Sequence, residues 1–130
     1  MTTTARRAPQ ILRVLLAAVM IGAGVLHFAQ PAGFVKIVPR FLPAPYFLVL
    51  LSGGFEILGG VGLLVPRSRR FASFGLIALF VAVLPANINM AVNDIQPATT
   101  HIPTAFLWLR LPLQALLVAW AWWVGRREPL

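Results

Sequence analysis

Ser52-Gly-Gly-Phe-Glu56-Ile-Leu-Gly59-Gly60 is the segment from which the architecture of this chain follows. It sets one carboxylate midway along an apolar run, Tyr46 to Val65, that carries no other charge. A run of that length crosses a bilayer core as a helix, about 20 residues rising 1.5 Å each. A charged group at such depth costs about 2.5–3.5 kcal/mol on insertion scales. Glu56 therefore calls for a partner, a water-filled cavity or a shifted pKa. The glycines beside it allow neighbouring helices to approach closely, as small residues do in membranes.

The composition agrees with that reading. The 130 residues are 59% hydrophobic and only 11% charged, with a mean hydropathy of +0.85. Soluble domains average about 25% charged residues, so the chain reads as one integral membrane domain whose first partner is the lipid bilayer. Eleven bases against three acids give a net charge of +8. Most bases stand at span ends, where they act as topology signals and contacts to anionic headgroups, not as a nucleic-acid surface. With no cysteine, the chain cannot form disulfides, thiol relays, Fe–S clusters or thiolate metal sites. It also has no recognisable haem, flavin or metal motif, so no metal ligand is assigned. The basic N-terminus runs into an apolar segment without a small-residue cleavage site, the pattern of a retained first helix and not of a signal peptide.

The architecture expected is an all-α membrane protein, a bundle of four transmembrane helices. The spans cover residues 11–28, 46–65, 71–92 and 104–124, with polar tails at 1–10 and 125–130. Between the first two spans, residues 31–45 are Pro-rich yet greasy. Phe34, Ile37 or Val38, and Phe41 recur at helical spacing while Lys36 and Arg40 share another face. That pattern predicts a short interfacial or re-entrant helix broken at Pro39. Arg6, Arg7, Arg13, Arg67, Arg69, Arg70, Arg126 and Arg127 fall on one side, and Lys36 and Arg40 on the other. The positive-inside rule then puts both termini in the cytoplasm of a bacterial inner membrane.

Polar residues gather in the outer halves of the spans. Glu56 lies about 15 Å below the outer end of its span and Arg110 about 9 Å below its own, at 1.5 Å per residue. His27 and Asn87 also fall in the outer half. Arg110 and Gln114 are four apart on one face, Ser52 and Glu56 likewise. Asn89 stands about 200° round the helix from Asn87, so the two cannot both face one pocket. The expectation is an outward-facing polar pocket with Glu56 at its floor and Arg110 as its counter-ion. Glu56 and His27 are the candidate acid and base. Asn87, Asn89, Arg110, Gln114 and Ser52 are the candidate ligand-binding groups. Each also has a plainer role: a structural ion pair, interhelical hydrogen-bond glue, an interfacial histidine. His27 and Asn87 stand sixty residues apart, and Glu56 and Gln114 fifty-eight, which allows two helix hairpins related by a parallel repeat.

Five motifs stand in order: Gly24-Val-Leu-His27-Phe28, Phe34-x-x-Ile37-Val38-Pro39-x-Phe41-Leu42-Pro43, Glu56-Ile-Leu-Gly-Gly-x-Gly-Leu63, Pro85-Ala-Asn87-Ile-Asn89-Met90 and Trp108-x-Arg110-x-Pro112-x-Gln114, in a match that runs over about residues 11–124. Together they resemble the DoxX-like family of small bacterial four-helix membrane proteins. That family is named for a subunit of a thiosulfate:quinone oxidoreductase, and relatives are linked to redox complexes and methylamine utilisation. The resemblance implies the four-helix architecture and a place beside a redox enzyme. The missing cysteines depart from any role that needs a thiol pair.

Three functions compete on these residues. The first is a membrane subunit of a redox system that binds a quinone or similar lipid. Asn87, Arg110 and Gln114 would hold a carbonyl, and Glu56 and His27 would relay protons. No other cofactor is identifiable. The second is a structural, assembly or transport component, with the polar cluster as glue or solute path; four helices are few for a transporter unless it forms a homo-oligomer. The third is an isomerase, cyclase or epoxide hydrolase acting on an isoprenoid-like lipid. Whether the chain is an enzyme is left open by its residues.

Overall fold

The computed structural model describes residues 3–96 and 101–126, with side chains from residue 7 onward. The described elements are α1 (Thr3–Ala29), α2 (Pro31–Ile37), α3 (Pro45–Leu64), α4 (Arg69–Val92) and α5 (Thr104–Arg126). Among the described residues there is no strand. Four helices, α1 from Arg7 together with α3, α4 and α5, are long and apolar enough to cross a membrane. The chain is thus built as a multi-pass membrane helix bundle. Its lipid-facing surface explains side chains such as Phe71, Leu58 and Leu116, which are 83%, 67% and 64% exposed.

Local sequence sets the helix ends. Pro31 cannot continue α1 but suits the first turn of α2, where its missing N–H bonds nothing. Pro39 then closes off α2, and Pro45 opens α3. The turn between α3 and α4 is fastened by Ser68, whose Oγ donates to Gly62 O at 3.0 Å, and by Arg69, whose Nε donates to Leu63 O at 3.0 Å. After α4, Gln96 stands in for a strand partner. Its Nε2 donates to Ile102 O at 3.1 Å, and its Oε1 accepts the Ile102 N–H at 2.6 Å.

One boundary differs from the expected one. Residues 1–10 were expected as a tail, whereas α1 begins at Thr3 and carries Pro9 within it. Ala5, Arg6, Arg7 and Ala8 are good helix formers, so the helix runs on beyond the apolar segment. The residues at 127–130 and 97–100 lie outside the described part. His101 is exposed in the loop before α5.

The interior has two apolar layers. Leu16, Met20, Leu63, Leu76, Phe80, Ala121 and Val124 pack at the basic end, drawn from all four long helices. Ile37, Met90, Ala91 and Leu107 form a smaller cluster at the other end, fixing α2 against α4 and α5. Glu56 and Asn87 are buried between them. The helices pair chiefly as α1 with α3 and α4 with α5.

A buried His–Glu pair as candidate functional site

Glycine brings α1 and α3 together. A Cβ on Gly53 would stand 2.6 Å from His27 Cβ and 3.0 Å from Gly24 O, and one on Gly24 would stand 2.6 Å from Gly53 O. Only glycine fits both positions, and the two backbones touch there. Gly60 lies as close to α1, with its Cβ position 2.9 Å from Ala17 O. Side chains lean toward the N-terminus of their own helix. In this antiparallel pair His27 therefore leans toward the basic end and Glu56 away from it. They meet: His27 Nδ1 is 3.2 Å from Glu56 Oε2, with only 12% and 10% of the two side chains exposed.

The imidazole is oriented by its own helix. Its Nδ1 lies 2.7 Å from Ala23 O. A carbonyl can only accept, so Nδ1 carries the proton and Nε2 is the nitrogen free to take one. The hydrogen points at Ala23, and Glu56 Oε2 makes no hydrogen bond of its own. One turn earlier on α3, Ser52 Oγ is also buried without a hydrogen-bond partner. Buried polar atoms are nearly always paired, so two orphans on successive turns of one helix are notable. Phe34 of α2 covers the imidazole, its ring stacked on His27 at 3.8 Å between centroids and 15° between planes.

The remaining candidates are engaged elsewhere. Asn87 Nδ2 donates to Gln114 Oε1 at 3.1 Å, and Gln114 Nε2 donates to Phe80 O at 2.8 Å. Pro85 leaves the carbonyl of Val81 without its helical donor, and Gln114 supports the neighbouring carbonyl at that loosened turn. These amides join α4 to α5 and are satisfied. Asn89 Nδ2 donates to Ile37 O at 2.9 Å and so holds the last turn of α2. Its Oδ1 accepts from Asn93 at 2.6 Å.

Arg110 is not the counter-ion of Glu56. Among the described residues the ionisable partner of Glu56 is His27. Arg110 is exposed, and its Nη1 donates to Met90 Sδ at 3.4 Å. The reason is geometric. Glu56 packs on α1, whereas Arg110 belongs to the α4–α5 pair. Among the described residues His27 with Glu56 and Asn87 with Gln114 form two pairs, each within one helix couple.

Among the described residues no three His, Cys, Asp or Glu side chains come together as metal ligands would. The groups that come together are one hydroxyl, one carboxylate oxygen and one imidazole. Sequence reasoning selected His27, Glu56 and Ser52 but missed Phe34 as the cover. The signal was available in the Phe34 spacing seven residues after His27 across Pro31.

Fold and site define a small multi-pass membrane protein with an ionisable pair enclosed between two helices. A family model, a domain of unknown function (DUF8561), matches residues 16–125, and the chain belongs to that family. No curated protein and no solved structure matches it.

Proposed function

We propose that this protein is a membrane subunit of a redox system that binds a quinone or similar lipid against Ser52, Glu56 and His27. The observation that carries the reading is the pair of orphaned atoms, Ser52 Oγ and Glu56 Oε2, beside an imidazole in the middle of the bundle. A buried hydroxyl and a carboxylate oxygen without a hydrogen bond in the protein are groups suited to a ligand or a proton. The ligand, when bound, supplies the electron chemistry. The chain's own residues bind and exchange protons: Ser52 donates to a carbonyl, Glu56 Oε2 takes or gives a proton there, and His27, whose Nδ1–H is committed to Ala23 O, can accept a proton only at Nε2. The resemblance to the DoxX-like family supports the same reading, as does its association with quinone-linked enzymes. The distribution of arginines supports a bacterial inner membrane with both termini cytoplasmic.

A narrower role for the rest of the polar set is favoured by the Asn87–Gln114–Phe80 chain of hydrogen bonds, which is complete without a ligand. Those residues serve assembly, as in the structural reading.

The test is binding of a short-chain ubiquinone or menaquinone analogue to the purified protein in detergent. Saturable binding is expected, weakened about tenfold or more by Glu56→Gln and less by Ser52→Ala. Binding that never saturates, or that ignores Glu56→Gln, sinks the proposal.

A further inference from the structure

A second site lies at the opposite end of the bundle. A cleft of about 130 Å³ opens where the start of α4 meets the end of α5, lined by Arg70, Ser73, Phe74, Trp122, Gly125 and Arg126. By the same measure a single water needs only about 10–15 Å³. The cleft exists because α4 and α5 touch closely just beside it. Ser73 Oγ donates to Ala121 O at 2.5 Å, and a Cβ on Gly125 would overlap the Ser73 side chain. With the serine hydroxyl so used, recognition falls to the arginines.

The lining divides by chemistry. Arg70 and Arg126 are exposed and cationic. Phe74 and Trp122 form an apolar wall, edge to face at 5.9 Å, and the Arg126 guanidinium stands 5.8 Å over the Trp122 ring. Phe74 is one turn further along α4 than Arg70, and Trp122 one turn back from Arg126, so the apolar wall lies on the bilayer side of the cations. Guanidinium groups grip phosphate oxygens with paired N–H donors. Aromatic rings at this level suit the glycerol and upper acyl region.

We propose that this cleft binds one anionic phospholipid, its phosphate between Arg70 and Arg126 and its chains along Phe74 and Trp122. The site is independent of the His27–Glu56 pair. Cation pairs on a bilayer surface draw anionic lipid in general, but a shaped cleft adds stoichiometry and position, and those are measurable.

The experiment is a native mass-spectrometry titration of the whole protein in neutral detergent with phosphatidylglycerol. Phosphatidylcholine and inorganic phosphate form parallel arms. One phosphatidylglycerol per chain is expected, bound about tenfold more tightly than phosphatidylcholine, and inorganic phosphate does not displace it. The double variant Arg70→Gln/Arg126→Gln loses about tenfold in affinity, whereas Arg67→Gln, in the exposed turn outside the cleft, changes it by less than about twofold. All three are surface positions, so folding is preserved. Equal losses from Arg67→Gln and the double variant would mean diffuse attraction and overturn the site. So would equal affinity for phosphatidylcholine. Displacement by inorganic phosphate would overturn the lipid as the occupant.

Discussion

The two helix couples hold equivalent polar pairs and use them differently. In α1–α3 the pair is His27 with Glu56; in α4–α5 it is Asn87 with Gln114. Both couples are antiparallel, and in both the two side chains lean toward each other from successive levels. The amide pair is complete: Gln114 gives its remaining donor to Phe80 O. The ionisable pair is not, since Glu56 Oε2 and the nearby Ser52 Oγ have no hydrogen-bond partner. Neutral amides would have joined α1 to α3 equally well, at less desolvation cost than a carboxylate. On the proposed function, the amide pair holds helices together and the ionisable pair is kept for a ligand.

The largest effect expected is on the close approach that makes the first pair possible. Gly53→Ala drives a methyl into His27 Cβ and the Gly24 carbonyl, and it should lower stability by about 1–3 kcal/mol. Gly54, whose Cβ position meets nothing within 4 Å, serves as the control. Gly54→Ala should be neutral or stabilising by up to about 1 kcal/mol, since alanine is the better helix former. Equal losses in denaturant unfolding of the two variants would show that α1 and α3 do not pack through Gly53.

Next in size is the amide pair. Gln114→Leu leaves Asn87 and the Phe80 carbonyl without their partner and should cost about 1–2 kcal/mol. Adding Asn87→Leu should restore part of that loss, because removing both partners spares the unsatisfied group. A double variant worse than the sum of the singles would contradict the glue role. Quinone-analogue binding should be unchanged in both.

Glu56→Gln is expected to do the reverse. It keeps volume and removes the buried charge, so stability should move by less than about 1 kcal/mol. The proposed ligand binding should fall with it. If Glu56→Gln and Gln114→Leu behave alike in unfolding and in binding, the contrast between the couples is lost.

The smallest effect belongs to the cover. Phe34→Ala removes the ring stacked on His27 while Asn89 still holds the Ile37 carbonyl. Hydrogen exchange of the α2 amides should quicken, by about 0.5–1.5 kcal/mol of lost aromatic contact, with global stability little changed. Unaltered exchange would mean that α2 is fixed by the Ile37 cluster and Asn89 alone.

Hydropathy and punctuation made the bundle legible. Apolar runs of bilayer length, Pro31 and Pro45 at helix starts, and Pro39 after the short α2 need no tertiary information. The sixty- and fifty-eight-residue spacings also marked His27 with Asn87 and Glu56 with Gln114 as equivalent positions. What they left open was pairing. Depth along a helix axis can be counted from sequence, but rotation and neighbour cannot. Arg110 therefore looked like the natural counter-ion of Glu56, being the cation nearest in depth.

By itself, then, the sequence determined an all-helical chain with four apolar spans, a basic end, and one carboxylate that had to be accounted for inside it. The tertiary structure decided the accounting. Gly24 and Gly53 let α1 and α3 touch, which hands Glu56 to His27 before any residue of α5 can reach it. Contact across helices depends on which backbones can approach, and glycine permits that approach without revealing its partner.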